Sequence, residues 1–443
     1  MTSEWRTADL IAEGILEIGD GYRAKNSELA TSGLPFARAG NINNGFNFSD
    51  ADLLGSDAVS AAGNKISQPG DVVFTSKGTV GRFAFVGRET PQFVYSPQLC
   101  YWRSKEQGVL HPRFLYYWMQ SSEFLTQMAG VKGQTDMADY VSLRDQRAFK
   151  ISVPAPAVQH QVASILSAFD DKIELNRRMN RTLEQMARSL FKSWFVDFDP
   201  VRAKMRGEQP EGMDAETAKL FPDALVEVDG REAPEGWKWT AIADVTAATF
   251  SGGTPDTRKP EYWNGGVPWF SSGETRTAYV TETEKTISQA GVENSSTRLA
   301  IPGDILIASA GQGFTRGQTS LNTINTYINQ SVVAVRVDTE KATSEWLYLN
   351  LSSRYEEMRG ISDGHSSRGS LTTKLVAQMP VVLPPETIIA AFTATVQGLI
   401  EAQVQTVRET AELAHLRDTL LPQLLSGQLD ITSWADETEQ VSA

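Results

Sequence analysis

The side chains best suited to chemistry in this sequence are hydrogen-bonding ones on glycine-containing loops, and they come in two sets. The first set is Arg23 and Lys25, then Arg38, Asn41 and Asn43, then Lys77, Thr79 and Arg82, with Gln134 in Lys132-Gly133-Gln134-Thr135. The second is Thr254 and Arg258, then Ser271, Ser272 and Arg276, then Gln312 and Arg316, with Ser367 and Arg368. Arg, Lys, Asn, Gln, Ser and Thr are the types that bond to phosphate oxygens and base edges of duplex DNA. The two sets occupy corresponding places in the two halves of the chain, in loops that follow strands. Taken singly, each residue also fits ordinary solvated loop chemistry, and both readings stand at this point.

Catalytic patterns are missing where they would be expected. Adenine methylation would call for a cofactor loop and an Asn-Pro-Pro-aromatic turn; Pro384-Pro385-Glu386-Thr387 lacks both the Asn and the aromatic. A nucleotide-driven motor would need a glycine loop ending in Gly-Lys-Ser/Thr to cradle phosphates. Gly311-Gln312-Gly313 and Ser251-Gly252-Gly253-Thr254-Pro255 are glycine turns without that lysine. Asp170-Asp171 and Glu356-Glu357 are adjacent carboxylates on expected helices, pointing different ways, and are read as solvated. The four histidines, His111, His160, His365 and His415, are scattered, and Cys100 is the single cysteine, so no metal site is expected.

The elements that must position these loops are written twice. Pro69-Gly70-Asp71-Val72-Val73 recurs as Pro302-Gly303-Asp304-Ile305-Leu306, and Gly33-Leu34-Pro35-Phe36 as Gly266-Val267-Pro268-Trp269, both 233 residues on. Ser76 and Gly78 match Ser309 and Gly311; Gln98 matches Gln330; Phe114-Leu115-Tyr116 matches Trp346-Leu347-Tyr348. Val153-Pro154 matches Leu383-Pro384, and Leu183, Met186 and Leu190 match Leu413, Leu416 and Leu420, now 230 on. Each half is expected to open with short strands, among them 72–74 and 305–307, each entered by a Pro-Gly-Asp turn. A short aromatic helix follows, near 114–119 and 346–351, and a long proline-introduced helix closes the half.

The first long helix is expected over about 157–195. Val162, Leu166, Phe169, Ile173, Asn176, Asn180, Leu183, Ala187, Leu190 and Trp194 alternate in steps of four and three, the spacing of a coiled-coil seam. The same positions 230 residues on are Phe392, Val396, Leu399, Gln403, Thr406, Thr410, Leu413, Arg417, Leu420 and Leu424. Both seams are apolar at their ends and polar in the middle, so two such helices can pair centre to centre, and an antiparallel pair would relate the two domains by a pseudo-twofold axis. At 1.5 Å per residue each helix is roughly 50 Å long, enough to act as a spacer. The aromatic run around Phe191, Trp194 and Phe195, and its counterpart Leu420, Leu421 and Leu424, either packs on a domain of this chain or docks a partner. They are taken as partner-binding candidates.

The net charge of −13 argues at face value against nucleic acid. Its distribution changes that. Residues 1–155 and 237–385 each carry −1, 156–208 carry +2, 209–236 carry −6 and 386–443 carry −7. The acid lies outside the globular regions, which predicts weak DNA binding by this chain alone and help from a partner. Hydrophobic residues at 41% allow real cores. A single cysteine fits a reducing cytoplasm. No basic-then-apolar start and no long apolar run are seen, so neither a signal peptide nor a membrane span is expected.

The motifs taken together resemble the specificity subunits of type I restriction–modification systems. Ser251-Gly252-Gly253-Thr254-Pro255 followed by Glu261-Tyr262-Trp263-Asn264-Gly265-Gly266-Val267-Pro268-Trp269 looks like the opening of one of their target recognition domains. Residues 191–207 resemble the region after their first spacer helix, Pro234-Glu235-Gly236-Trp237 their entry to the second domain, and Leu420-Leu421-Pro422-Gln423-Leu424-Leu425-Ser426-Gly427 their C-terminal helix. The first half departs from the Gly-Gly-Thr-Pro pattern, with Ile18-Gly19-Asp20-Gly21-Tyr22 in its place.

The resemblance implies an α+β fold of two pseudo-twofold related target recognition domains separated by two long antiparallel coiled-coil helices. The expected boundaries are 1–155 and 237–385 for the two domains, 156–208 and 386–428 for the spacer helices, 209–236 for an acidic connector and 429–443 for an acidic tail. It further implies a non-catalytic subunit that binds a bipartite DNA target, one domain per half-site, with two methyltransferase and two restriction subunits as partners. S-adenosylmethionine, ATP and Mg would then sit on those partners and no cofactor on this chain. A scaffold that assembles partners through its helices without reading DNA is the alternative.

Overall fold

The structure is a computed structural model that describes residues 3–43, 45–131, 139–228, 230–311, 313–365 and 369–429. Gln134, Gln312, Ser367, Arg368 and nearly all of the acidic tail lie outside the described residues. The chain divides into two compact units, one of Met1–Ile173 with Glu412–Ala443 and one of Glu174–Ala411.

In the first unit, four antiparallel strands run in the order Leu16–Asp20, Leu99–Ser104, Val72–Thr75, Phe83–Phe85. A second sheet joins Leu29–Ala30, Leu53–Leu54, Leu34–Ala37 and Val94–Tyr95, the last pair parallel. Every residue of Val72–Thr75 and Leu99–Ser104 is buried, since both faces of these central strands are covered. Phe74, Trp102, Trp118 and Phe124 form the middle of the core. A two-stranded ribbon, Ser3–Arg6 on Lys150–Val153, closes the region where it begins and ends.

The second unit repeats this plan. Thr246–Ser251, Val332–Val337, Ile305–Ala308 and Thr319–Asn322 follow the same order, with Tyr279–Val280 added at the edge. Trp263–Phe270 pairs in parallel with Thr326–Ile328, as Leu34–Ala37 does with Val94–Tyr95. The closing ribbon is Lys238–Ala241 on Pro380–Leu383. The aromatic helices are Pro112–Trp118 and Ser344–Ser352.

The duplicated Pro-Gly-Asp turns do more than start strands. Gly70 and Gly303 take left-handed backbone angles (φ 96° and 92°) that a side chain would disfavour. The turn thereby points each aspartate inward. Asp71 accepts two bonds from Arg103, 2.6 and 2.8 Å, and Asp304 two from Arg336, 2.9 and 2.7 Å. Each arginine also reaches a carbonyl, Ile66 or Leu299, and each aspartate caps a backbone N–H, of Gln68 or Ile301. The whole clamp is thus present twice.

The long helices are Pro156–Phe195 and Glu386–Ser426. Proline at the first position suits a helix start, and Gly427 (φ 70°) ends the second helix in a left-handed turn. The two helices pack together. In the first unit Arg417 donates to Asp170 (2.7 Å). In the second, Asn176 donates to Glu409 (2.9 Å) and the Phe191 ring meets Phe392. Partner numbers fall on one helix as they rise on the other, so the pair is antiparallel. Every one of the seam positions is buried or half-buried. By length and composition alone, Glu386–Ser426 would also suffice to cross a membrane, contrary to the reading of the sequence. Within the fold its apolar seam is used: Phe392 and Val396 are fully buried in the core of the second unit.

One expectation is corrected here. Asp170 is not solvated; it accepts from both Tyr117 Oη (2.7 Å) and Arg417. Phe191, Trp194 and Phe195 are at most 6% exposed, and Phe195 packs on Phe392, Trp237 and Trp346. Leu424 is buried in the core of the first unit, with Leu420 and Leu421 against it. Phe191, Trp194, Phe195 and Leu424 fill this chain's own cores, the first of the two packings that the sequence allowed, and Leu420 and Leu421 are half-buried against the first unit's core. Within the segment 209–236, Phe221 and Ala233 belong to the second unit's core.

Candidate nucleic-acid interface

In the first unit the fold brings two of the polar loops together. The turn after Leu34–Ala37 carries Arg38, exposed and paired with Asp52 at 2.6 Å. The hairpin tip after Val72–Thr75 carries Lys77 and Thr79, both exposed. Phe36, Arg38, Lys77, Gly78, Ser96, Pro97 and Gln98 line one open hollow. Gln98 accepts from Ala39 N (3.2 Å), and half-buried Arg82 donates to Ala39 O (3.1 Å), so these two residues tie the loops to each other. Beside the same tip, Gly78 N donates to Asp139 O (3.0 Å) and Lys77 bridges to Tyr140.

Arg23, Lys25 and Asn43 are exposed. Asn41 is not available for contact. It is 9% exposed, accepts from Arg38 N and donates to Asn47 O, so its amide shapes the loop from within.

The second unit places its residues on the equivalent turns. Thr254 donates to Gln330 (2.5 Å), the counterpart of Gln98. Arg258 is almost wholly exposed beside Asp256; its hydrogen bonds hold that carboxyl down at about 2. Ser271 binds Glu274 through its N (2.8 Å) and Oγ (3.0 Å), and Ser272 O accepts from Thr275. Burial raises the Glu274 carboxyl above its ordinary range despite those bonds. Arg276 is exposed and paired with Glu284.

Arg316 departs from expectation. It is 8% exposed, donates to Gly369 O (3.0 Å) and pairs with Asp363. Its guanidinium braces two loops against each other and does not reach outward.

Two features escaped the reading of the sequence. Gly21 stands where Gly252 does. A Cβ on Gly21 would lie 2.0 Å from Ser96 O, and one on Gly252 1.8 Å from Ile328 O. The residue after each donates to the neighbouring strand, Tyr22 N to Tyr95 O and Gly253 N to Ile328 O. The first half therefore keeps the one glycine that this close approach requires, although its motif looks different. The second feature is Phe314, 83% exposed at a hairpin tip. No periodic pattern marks a single loop aromatic.

A sequence profile described as the type I restriction modification DNA specificity domain matches residues 4–185 and again 234–409. The chain is 28% identical over 410 residues to the type I restriction enzyme HindI specificity subunit of Haemophilus influenzae, spanning 82% of this chain and 88% of that one. It is 23% identical over 332 residues to the MjaIX specificity subunit of Methanocaldococcus jannaschii, spanning 72% and 69%. Among solved structures, the S subunit of a type I restriction–modification system from M. genitalium has the same fold, with a TM-score of 0.57 at 13% identity over 96% of each chain.

Proposed function

This chain belongs to the type I restriction–modification DNA specificity family, and from that membership we propose how it reads its target. As a specificity subunit it determines DNA target specificity and is not the catalytic chain of its enzyme. The regions 1–155 and 237–385 each read one half of a bipartite sequence. Residues 156–208 and 386–428 form the paired helices that set the length of DNA left unread. Two methyltransferase and two restriction subunits are its partners, and they carry S-adenosylmethionine, ATP and Mg. The complex works in the cytoplasm.

The observation that carries this reading is one frame with two sets of loops. Strand order, ribbon and Asp–Arg clamp are the same in both units. The exposed side chains at equivalent turns are different: Arg38 and Asn43 stand on the turn where the other unit has Arg276, and Lys77 on the tip where it has Phe314. Arg and Lys supply phosphate contacts and bidentate contacts to guanine. A conserved frame with divergent tips is what two readers of different half-sites require.

The test is methylome sequencing of cells that carry the system. A split methylated motif is expected. Exchange of residues 1–155 for those of a relative is expected to change one half of the motif and leave the other. A change in both halves, or in neither, would sink the assignment.

A further inference from the structure

The hairpin between Ile305–Ala308 and Thr319–Asn322 ends in a loop whose backbone is held at Gly313, Phe314 and Gly317 and whose apolar side chain is outside. Gly311, Gly313 and Gly317 all take positive φ (135°, 71° and 89°). Gly317 N donates to Ala308 O (2.9 Å) and closes the loop. The helix Tyr355–His365 holds it from one side: Tyr355 Oη donates to Phe314 O (2.9 Å), and Arg359 donates to Gly313 O (2.5 Å) and to Tyr355 Oη (2.9 Å). Phe314 nonetheless projects away, at 83% exposure the most exposed large apolar side chain among the described residues.

The position of this loop says what the ring can meet. Its root lies against the turns that carry the candidate contacts. Gln318 approaches Thr275 in the Ser271–Arg276 turn, and Ser309 N donates to Ser331 O, next to Gln330 (2.9 Å). The equivalent tip in the first unit closes in the same way, Gly81 N to Thr75 O at 3.1 Å. There Thr79 and Val80 alone separate the two glycines, and the exposed side chains are those of Lys77 and Thr79. At one station of a duplicated frame the first unit thus presents a cation and the second an aromatic on a longer loop. Aromatic side chains pack on thymine methyl groups and on exposed base faces.

We infer that Phe314 is a specificity-determining residue that packs against the bases of the half-site read by the second region. This rests on the reading of the two regions as half-site readers. The neighbouring arginines bind within the protein, so the tip's contribution to DNA is apolar and sequence-dependent, not a phosphate contact.

The experiment uses the assembled methyltransferase complex and duplexes that carry its methylated motif, each base pair substituted in turn. A mismatch is expected to weaken binding by the wild-type complex by about tenfold or more. With Phe314→Ala, one or two adjacent positions of the second half-site are expected to lose that penalty, to within about threefold. Penalties in the first half-site and binding to motif-free DNA are expected to stay unchanged, and Phe314→Leu, which keeps an apolar tip, to retain part of the discrimination. The inference is overturned if Phe314→Ala keeps every penalty, weakens both half-sites alike, or lowers the yield of assembled complex instead. Should the wild-type complex show no second half-site at all, the underlying reading fails and not only the role of Phe314.

Discussion

Arg103 and Arg336 occupy equivalent places but different surroundings. The Arg103 side chain is 6% exposed and its partner Asp71 fully buried, whereas Arg336 is 32% exposed. Asp71 also accepts from Tyr95 (2.6 Å), whose hydroxyl burial and the Asp71 charge push well above its ordinary range, so it remains a donor. Removing one partner of a buried pair strands the other charge, at about 3–5 kcal/mol. Arg103→Leu is expected to destabilise the first unit by that amount, and Arg336→Leu to cost the second unit less, because Arg336 is already partly screened by water and its loss opens the buried Asp304 to solvent. Urea unfolding followed separately in each unit by hydrogen exchange tests the ranking; equal losses would contradict it.

His111 gives the first unit a pH response. Burial, followed by the neighbouring His160 (rings 4.5 Å apart) and Arg113, lowers its imidazole below the ordinary 6.5. The folded state then binds fewer protons than the unfolded state just below 6.5. The stability from a neutral His111 is present above that value and lost as pH falls through it towards the depressed one. Melting temperature is expected to drop as pH falls below about 6.5, and His111→Asn to flatten the part of the drop nearest that value. An unchanged profile in the variant would remove His111 as the cause.

Among the elements, the long helices were the most legible. A seam of tens of residues needs no tertiary information, and each of its positions is protected. Its polar centre resolves differently from simple cross-pairing. Gln403, Thr406 and Thr410 donate to carbonyls four residues back on their own helix, and Asn176 reaches across to Glu409. At the apolar end, Phe392 is the hub of ring contacts with Phe191, Trp194 and Phe195 at 5.9, 5.4 and 4.8 Å. Phe392→Ala is expected to cost about 3–5 kcal/mol and to loosen Pro156–Phe195 near its end. Protease cleavage near residue 196 at the wild-type rate would refute this.

What the sequence left open was set by distant partners. The Pro-Gly-Asp turns were visible locally, but the arginines that they meet lie 32 residues away in both copies. Arg316 looked like a loop contact because Asp363, 47 residues on, has no local signature. The aromatic run at Phe191 fitted a docking surface and a core equally well until Trp237 and Trp346 were placed against it.

At the scale of the whole molecule, the charge of −13 must be reconciled with DNA. Several of the cationic side chains at the candidate turns are already paired, Arg38 with Asp52, Arg258 with Asp256 and Arg276 with Glu284. Few phosphates can then be neutralised by this chain alone. The isolated chain is expected to bind its motif far more weakly than the complex does, with a shallower slope of log K against log salt. Titrations at several salt concentrations decide it. Equal slopes would mean that the partners contribute no phosphate contacts.

The division of the chain has a consequence for how the protein is made. The second unit is one uninterrupted stretch, Glu174–Ala411, whereas the first needs Glu412 onward, with Leu424 seated in the core beside Leu10 and Val162. On the ribosome Leu10 and its neighbours must therefore wait for Leu424, translated about four hundred residues later. The second unit can reach its native state while the first is still open, its Leu424 site vacant until the final turns of the helix emerge. A released chain ending near residue 411 would carry a folded later half and an unfinished earlier one, and there holding chaperones would be needed most.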